Sequence, residues 1–233
     1  WCWKESATAG FDIVSYTGNG TDDTDISHNL SAVPKMIIVK NRDAADAWQV
    51  YHARMASDAE TDYLVLNDGA VPADAADRWS DEAPTSSVFT LGDADEVNTN
   101  TEDYIAYLWS EKQGFSKFGK YTGNGNADGN FIFTGFKPAF VIFKRITDGT
   151  EPWIMFDNKR STPNGFNGVD KNHKPCYNEI EQSQSPPSMD FLSNGIKFRN
   201  TDGTFNNSSK EYIYMAFAEA PFVNSNGVPC NAR

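Results

Sequence analysis

The sequence predicts an all-β protein made of two tandem β-sandwich-like modules that are related by internal duplication. Three observations support this fold class. The pentapeptide Tyr-Thr-Gly-Asn-Gly occurs at 16–20 and again at 121–125. Short β-branched and aromatic runs alternate with Gly, Asn, Asp and Pro turn residues, which is typical of strands in a sandwich. Finally, no segment of the chain shows a sustained helical period.

The recurrence extends well beyond the pentapeptide. The two copies start at residues 16 and 121, a spacing of 121 − 16 = 105 residues, and later landmarks recur at nearly the same spacing. Such a period is too long for a solenoid repeat and matches the size of a small domain. The sequence therefore predicts a duplicated module. The matching pairs are Pro34 and Pro138, Lys40 and Lys144, and Trp48 and Trp153.

Four parts are expected along the chain. Residues 1–10 are a closing strand or linker from an upstream module, 11–112 are module one, 113–222 are module two, and 223–233 are a tail. The closing strand itself is placed at 1–5, and it implies that the chain is the C-terminal portion of a longer protein. Because the linker between the modules is short, one large sandwich built from both modules remains an alternative.

Most of the predicted elements are strands. In module one they are 11–16, 26–30, 35–40, 47–52, 63–67, 88–91 and 104–109. In module two they are 131–133, 138–145, 153–157, 191–192, 195–199 and 212–218. Residues 68–87 and 158–188 are expected to be mainly loop, and the pentapeptide is expected to be the first hairpin turn of each module. Its Gly and Asn residues suit a turn because they tolerate positive φ.

The charge and the cysteine count exclude several partners. The formal charge is 20 − 32 = −12, which repels nucleic-acid phosphates, so no nucleic-acid partner is predicted. No window holds 18 consecutive apolar residues, so no membrane insertion is predicted. Cys2, Cys176 and Cys230 form no C-x-x-C spacing, which favours free thiols over a zinc site or a disulfide framework. A disulfide between Cys2 and Cys230 stays open.

No catalytic motif is present, and a non-enzyme is predicted. The three histidines have no metal-site spacing, and neither G-x-S-x-G nor a P-loop occurs. Paired carboxylates serve glycoside hydrolases, and an aromatic-x-Glu pattern places Glu5, Glu111 and Glu219 at corresponding positions. A glutamate that recurs with a module is more typical of a shared structural feature than of a single acid–base pair.

Two groups of residues are candidate binding sites. Asp22, Asp23 and Asp25 follow the first pentapeptide and are a candidate Ca²⁺ site, because hard cations want several converging oxygens. A solvated turn is the alternative interpretation. Trp79 lies in an acidic loop and is a candidate glycan or interface contact. The equivalent tryptophans Trp48 and Trp153 are expected in the core, since core positions survive duplication most easily.

The basic residues at the ends of the two central strands have a structural interpretation. Lys40 and Arg42 in module one, and Lys144 and Arg145 in module two, are expected to mark the solvated strand ends. An ion pair between an arginine and a carboxylate on a neighbouring strand is consistent with this pattern and needs no ligand.

Four motifs stand out along the chain, namely the pentapeptide and the segments 135–141, 190–197 and 212–219. Together they resemble an uncharacterised domain family of tailed, often marine, bacteriophages. Members of that family occur in fibre-like virion proteins, often behind laminin-G or concanavalin-like domains. The resemblance implies a structural or adhesion module of a virion appendage, assembled in the host cytoplasm. It brings no functional residues with it.

The partners that this resemblance implies are other virion subunits and a host-surface glycan. A symmetric fibre favours a homo-oligomer, and a trimer in particular. A lectin-like carbohydrate-binding module, with or without Ca²⁺, is the alternative function, and a polysaccharide depolymerase is a third.

Overall fold

The computed structural model describes residues 2–160, 168–184 and 187–218, and it is all-β, as predicted. The chain divides into two compact units, one ending at Glu111 and the other beginning at Lys112. Each unit contains a six-stranded sheet and a smaller second sheet, with antiparallel pairing throughout the described strands. In the part of the chain that the structure describes, no helix has the length and apolar character needed to span a membrane.

In its described residues, 2–111, unit one is built from eight strands and two helical turns. Its large sheet has the order β1-β8-β3-β4-β5-β6, and β2 pairs with β7. The strands are β1 (Phe11–Thr17), β2 (Thr24–Ser27), β3 (Met36–Asn41), β4 (Gln49–His52), β5 (Asp62–Val65), β6 (Ala73–Asp74), β7 (Val88–Leu91) and β8 (Asp103–Trp109), and the helical turns are α1 (Ala76–Trp79) and α2 (Asp95–Asn98).

Unit two repeats this arrangement. Its large sheet has the order β9-β18-β11-β12-β14-β15, which matches unit one strand for strand, and its small sheet is β10-β17-β16-β13. The internal duplication is thereby confirmed. The elements are β9 (Ser116–Thr122), β10 (Phe131–Phe133), β11 (Pro138–Arg145), β12 (Ile154–Asp157), β13 (Gly168–Val169), β14 (Lys171–His173), β15 (Gln182–Ser183), β16 (Met189–Leu192), β17 (Gly195–Phe198), α3 (Gly203–Asn206) and β18 (Glu211–Ala218).

The cores form around the central strands because those strands carry the longest apolar runs. All eight residues of β11 are buried, and β18 beside it is buried from Tyr212 to Ala218. The core of unit two is rich in aromatic rings that contact one another, such as Phe143, Phe198 and Phe205. Each such ring removes about 150–250 Å² from water, so a modest apolar content is enough to hold each sandwich together.

The stretches 68–87 and 158–188 are mainly loop in their described residues, as expected, although the first also contains β6 and α1 and the second contains β13 to β15. These strands are only two or three residues long, and they exist because neighbouring strands supply hydrogen bonds. The closing strand expected at 1–5 is wrong, since residues 2–5 have no regular structure, although Trp3 packs against Phe11 and Trp109. Residues 219–233, with Glu219 and Cys230, lie outside the described residues.

The lysine that ends the central strand of unit two is buried rather than solvated. Lys144 is fully buried, and its Nζ donates to the carbonyl oxygens of Arg145 at 3.0 Å and Glu151 at 2.9 Å. Its counterpart Lys40 is half-buried and donates to the carbonyl oxygen of Ala44 at 2.8 Å. The loop after each central strand curls back over the ammonium group, so backbone carbonyls replace water.

The predicted arginine–carboxylate pair joins the last residue of β11 to the loop that follows it and does not cross to a neighbouring strand. Arg145 pairs with Asp148 and, at 3.5 Å, with Glu151, and both carboxylates follow it in the chain. Lys210 also reaches Asp148, at 2.6 Å. These contacts lower the pKa of Asp148, the hydrogen bond from Lys210 most and that from Arg145 next.

A pair of carboxylates makes the β5–β6 edge sensitive to pH. Asp62 lies directly opposite Asp74, and its pKa is raised by burial first and then by the charges of Asp74 and Asp58. A raised pKa in the folded state means that this group's contribution to stability is complete below the ordinary value of 3.8 and is lost as the pH rises through the folded value.

We therefore expect Asp62→Asn to raise the free energy of unfolding at pH 7 by about 0.2–1 kcal/mol, because like charges on directly opposed residues destabilise a strand pair. Urea unfolding at pH 7 and at about pH 3 checks this, since the gain should vanish once the Asp62 carboxyl is protonated. Glu82→Gln removes an exposed charge from the same unit and serves as the control. A lower stability of Asp62→Asn at pH 7 would contradict the repulsion.

Candidate functional site

The pentapeptide crosses between the two sheets of each unit and is not a hairpin turn. β1 pairs with β8, whereas β2 pairs with β7 in the other sheet, and unit two does the same with β9 and β10. Tyr-Thr-Gly-Asn-Gly is thus the connection between sheets, and it packs against the helical turn α2 or α3. We call this assembly of pentapeptide and helical turn the latch.

Glycine is required in the latch for two different reasons. A Cβ on Gly18 would lie 2.2 Å from the carbonyl oxygen of Thr99, and one on Gly123 would lie 2.3 Å from that of Asn207, so the backbones approach too closely for any side chain. Gly20 and Gly125 instead have φ of 65° and 63°, the left-handed region that was expected for the turn.

A buried asparagine holds each latch closed. In unit one the Oδ1 of Asn98 accepts from the backbone N–H of Asn19 at 2.9 Å, and its Nδ2 donates to the carbonyl oxygens of Thr21 at 2.8 Å and Gly92 at 2.9 Å. Asn206 makes the corresponding bonds in unit two, to Asn124, Asn126 and Asn200. The backbone N–H groups of Asn19 and Asn124 in the two pentapeptides are therefore engaged in hydrogen bonds that stabilise the fold.

Stacked tyrosines complete the latch. Tyr16 stacks on Tyr104 with ring centroids 5.2 Å apart, and Tyr121 stacks on Tyr212 at 5.1 Å. The Tyr121 hydroxyl donates to the carbonyl oxygen of Phe205 at 2.6 Å. Burial, and secondarily the neighbouring tyrosines, raise the pKa of Tyr121 well above its ordinary value. The pentapeptide, the buried asparagine and the stacked tyrosine pair thus recur in both units, and their contacts have a structural role.

The structure overturns Trp79 as a surface contact. Trp79 is only 2% exposed, because the helical turn α1 directs it inward, where its ring meets Tyr51 edge to face at 6.1 Å. The acidic composition of the surrounding stretch had suggested an exposed loop. Trp153 is buried as expected, while Trp48 is half-buried and stacks on Tyr107.

The candidate Ca²⁺ site is also wrong, because its carboxylates do not converge. Asp22 accepts from the hydroxyl of Ser80 at 2.8 Å, and Asp25 accepts from that of Thr90 at 2.9 Å. Asp23 sits between them at a positive φ of 62°. Across 2–160, 168–184 and 187–218, no three His, Cys, Asp or Glu side chains are grouped so as to hold a metal ion.

The remaining carboxylate candidates that the structure describes are either ion-paired or at least partly exposed to solvent. In the loop that corresponds to the Ca²⁺ candidate, Asp128 pairs with Lys197 at 2.7 Å, and the hydrogen bond from this lysine lowers the pKa of Asp128. Glu5 is exposed and Glu111 is half-buried, while Glu219 is outside the described part of the chain.

An aromatic groove in unit two is the best candidate site among the described residues. It has a volume of about 410 Å³ and lies beside β9 and β10, which are the edge strands of the two sheets. Phe131 and Phe133 are 46% and 63% exposed, whereas Ile132 between them points into the core. The lining residues are Lys120 and Tyr121 from β9, Asn130 beside β10, Phe131, Ile132 and Phe133 of β10, and Tyr214 from β18.

Glycines in neighbouring strands make room for the rings of the groove. A Cβ on Gly195 would come within 2.7 Å of the Phe131 ring, so this ring lies directly over the backbone of β17. A Cβ on Gly119 would come within 2.6 Å of the Tyr214 ring. The Asn130 side chain donates to the carbonyl oxygen of Thr122 and ties one wall of the groove to the other.

Three of the four groove aromatics, Phe131, Phe133 and Tyr214, have no aromatic counterpart in unit one, whereas Tyr121 corresponds to Tyr16. Tyr214 lies opposite Gly119, whereas the corresponding pair in unit one is Ala106 opposite Val14. The spacing of 138 − 34 = 104 that relates Pro34 to Pro138 also relates Phe131 to Ser27 and Phe133 to Asn29. A polar residue thus occupies each of these positions in unit one. Since unit one folds without the rings, the fold does not require them.

Gly119 and Tyr214 are expected to be energetically coupled. Gly119→Val alone forces a side chain into the Tyr214 ring and should cost about 1–3 kcal/mol, and Tyr214→Ala alone leaves a cavity worth about 3 kcal/mol or more. The double variant recreates the Val–Ala pair of unit one. Its cost should fall below the sum of the single costs by about 1 kcal/mol or more. Denaturant unfolding of all four proteins measures this cycle, and strictly additive costs would contradict the compensation.

Comparison with known proteins gives a family but no described activity. A family model described as a domain of unknown function, DUF7483, matches residues 1–221. No curated protein and no solved structure matches the chain.

Proposed function

We propose that this chain, which belongs to the DUF7483 family, is a non-enzymatic adhesion module of a bacteriophage virion appendage that binds a host-surface saccharide in the aromatic groove of unit two. The single observation that carries the proposal is the pair of exposed rings, Phe131 and Phe133, on a scaffold whose first copy has Ser27 and Asn29 instead. The virion setting is supported by the four sequence motifs that resemble tailed-phage proteins.

The chemistry of the groove suits a sugar. Exposed rings on one face of an edge strand offer flat apolar platforms for the C–H faces of a pyranose, while flanking polar groups fix its orientation. Lys120 and Asn130 supply such groups at the walls. A volume of about 410 Å³ is within the usual range of small-ligand sites, roughly 300–1,000 Å³.

The rigidity of the scaffold supports the same function. Tyr121 belongs both to the latch and to the groove, so the hydrogen bond from its hydroxyl to Phe205 fixes one wall of the site. A site whose walls are held in place before binding loses less conformational entropy when a ligand arrives.

Replacing both rings by their unit-one counterparts tests the proposal. Phe131→Ser/Phe133→Asn is expected to keep the fold and to reduce saccharide binding at least about 30-fold, as loss of central aromatic contacts typically does. Binding of the purified chain to a glycan array, followed by titration with the best saccharide, measures the effect. Ile180→Ser is the matched control, since Ile180 is 85% exposed in unit two but does not line the groove.

Three outcomes would contradict the proposal. The first is an absence of binding to every glycan, which would favour a protein, such as another virion subunit, as the ligand of the groove. The second is binding that survives the double substitution. The third is release of sugar from a polysaccharide by the purified chain, which would favour the depolymerase alternative and overturn the non-enzymatic assignment.

A further inference from the structure

The charge of the chain is divided unevenly between its units. Residues 1–111 hold 6 Lys and Arg against 21 Asp and Glu (6 − 21 = −15), whereas residues 112–233 hold 14 against 11 (14 − 11 = +3). The overall charge of −12 therefore hides a weakly basic unit two. The groove belongs to that unit, so an anionic ligand meets a far more favourable local charge there than the whole chain suggests.

The lining of the groove shows the same bias. One of its residues is basic, Lys120, and none is acidic. The residue of unit one that corresponds to Lys120 is Ser15, which directly precedes Tyr16. The positive charge is therefore present only in unit two, like Phe131 and Phe133. Lys120, Phe131 and Phe133 are thus present in only one copy of the duplicated scaffold.

The acidic neighbour of Lys120 is an exchangeable partner. Lys120 Nζ lies 3.0 Å from a carboxylate oxygen of Glu211, and both side chains are 38% exposed. An ion pair with this much solvent contact contributes little to stability, about 0–1 kcal/mol. A ligand carboxylate or sulfate that docks against the rings can therefore take the place of Glu211 on the ammonium group at small cost.

From these observations we propose that the groove selects acidic saccharides, which carry a carboxylate or sulfate group, through Lys120 at its rim and the rings of Phe131 and Phe133 beneath the sugar. This inference rests on the proposed function and specifies its ligand class. Ring stacking gives affinity for a sugar of any charge, and Lys120 discriminates in favour of the acidic ones.

The test compares four variants on one set of probes: polygalacturonate for carboxylates, heparin for sulfates and dextran as the neutral sugar. Lys120→Gln should weaken binding of the acidic probe about tenfold at low ionic strength, the usual range for losing a charge-assisted hydrogen bond. Lys120→Arg should retain it. Glu211→Gln should strengthen it by freeing the ammonium group. Lys117→Gln, on the same strand but outside the groove, should change it less than about twofold.

The outcomes separate this inference from the function on which it rests. Acidic-probe binding that falls in Lys120→Gln, rises in Glu211→Gln and weakens with salt supports it. Equal losses in Lys120→Gln and Glu211→Gln would show that their pair merely holds the strand edge, and would overturn it. Binding of dextran alone, sensitive to the Phe131→Ser/Phe133→Asn double variant but not to Lys120→Gln, overturns the acidic preference and leaves the proposed function standing. Binding of none of the probes, together with a blank glycan array, overturns both.

Discussion

Gly123→Ala is expected to destabilise unit two by about 3 kcal/mol or more, because the new methyl group has no space and the backbone itself must move. The Cβ would lie 2.3 Å from the carbonyl oxygen of Asn207, well inside van der Waals contact. Gly18→Ala should act in the same way on unit one, where the corresponding distance to Thr99 is 2.2 Å. The pentapeptide and the helical turn would separate, and the connection between the two sheets would loosen.

Native-state hydrogen exchange reads the two units separately and is the suitable measurement. Gly123→Ala should speed exchange in β9 and β18 and leave β1 and β8 unchanged, and Gly18→Ala should do the reverse. Gly203→Ala is the control, since its Cβ would find its nearest neighbours at 3.6 Å and 3.7 Å, which is ordinary contact. A loss of stability in Gly203→Ala as large as that in Gly123→Ala would show that close approach is not the cause.

Asn98→Ala and Asn206→Ala should have the second largest effects, again about 3 kcal/mol or more each. Each substitution removes one acceptor and two donors from a fully buried side chain. In unit one the carbonyl oxygen of the buried Gly92 is left without its partner, whereas Asn19 and Thr21 are exposed residues. Every unsatisfied buried group costs about 1–3 kcal/mol. The poorer packing around the shortened side chain adds to that cost.

Denaturant unfolding followed by far-UV circular dichroism checks these variants. Asn100→Ala is the matched control in unit one, because Asn100 is exposed and follows Asn98 by only two residues. Costs under about 1 kcal/mol for Asn98→Ala and Asn206→Ala would mean that the hydrogen bonds of the latch are replaced by water without penalty.

The duplication and the central strands were predictable from the sequence because their signals are local. β11 was placed at its observed bounds from a Pro-led run of apolar residues, and β3, β8 and β18 were placed to within one residue at each end. β3, β11 and β18 are buried along nearly their whole length, and β8 alternates buried with less buried residues, so either a continuous apolar run or an alternation reveals them. The strands β6 and β13 to β15 were missed because they are only two or three residues long and depend on partners elsewhere in the chain. The seven-residue strand β9 was also missed, because its polar residues and Gly119 obscure the strand pattern.

The role of the pentapeptide was misjudged because two different constraints select the same residue. Positive φ and close backbone approach both demand glycine, and a sequence does not distinguish them. Within the pentapeptides, Gly20 and Gly125 are required by their positive φ. Gly18 and Gly123 are required by the close approach of a neighbouring backbone. Trp79 was wrongly predicted to be exposed because acidic residues surround it in the sequence. Those residues face solvent, but they do not indicate that the Trp79 ring itself points into the core.

The groove was missed although one signal for it was present in the sequence. The two copies had been aligned to find what they share, and Phe131 and Phe133 were assigned only to a strand. Their counterparts Ser27 and Asn29 are polar. A large apolar residue that occurs in only one of two duplicated units is not needed for the fold that both units share. Phe131 and Phe133 are exposed because β10 is an edge strand. The order of strands in a sheet is known only from the folded structure, so the sequence did not reveal this exposure.

The assignment of the aromatic groove as a saccharide site is tested most directly by chemical-shift mapping of the ¹⁵N-labelled chain during titration with the saccharide that binds best on the array. We expect the largest shifts at the backbone amides of β9 and β10, centred on Lys120, Phe131 and Phe133, with little change in β1 and β2 of unit one. Shifts centred on unit one, or on the region around Ile180, would contradict the assignment.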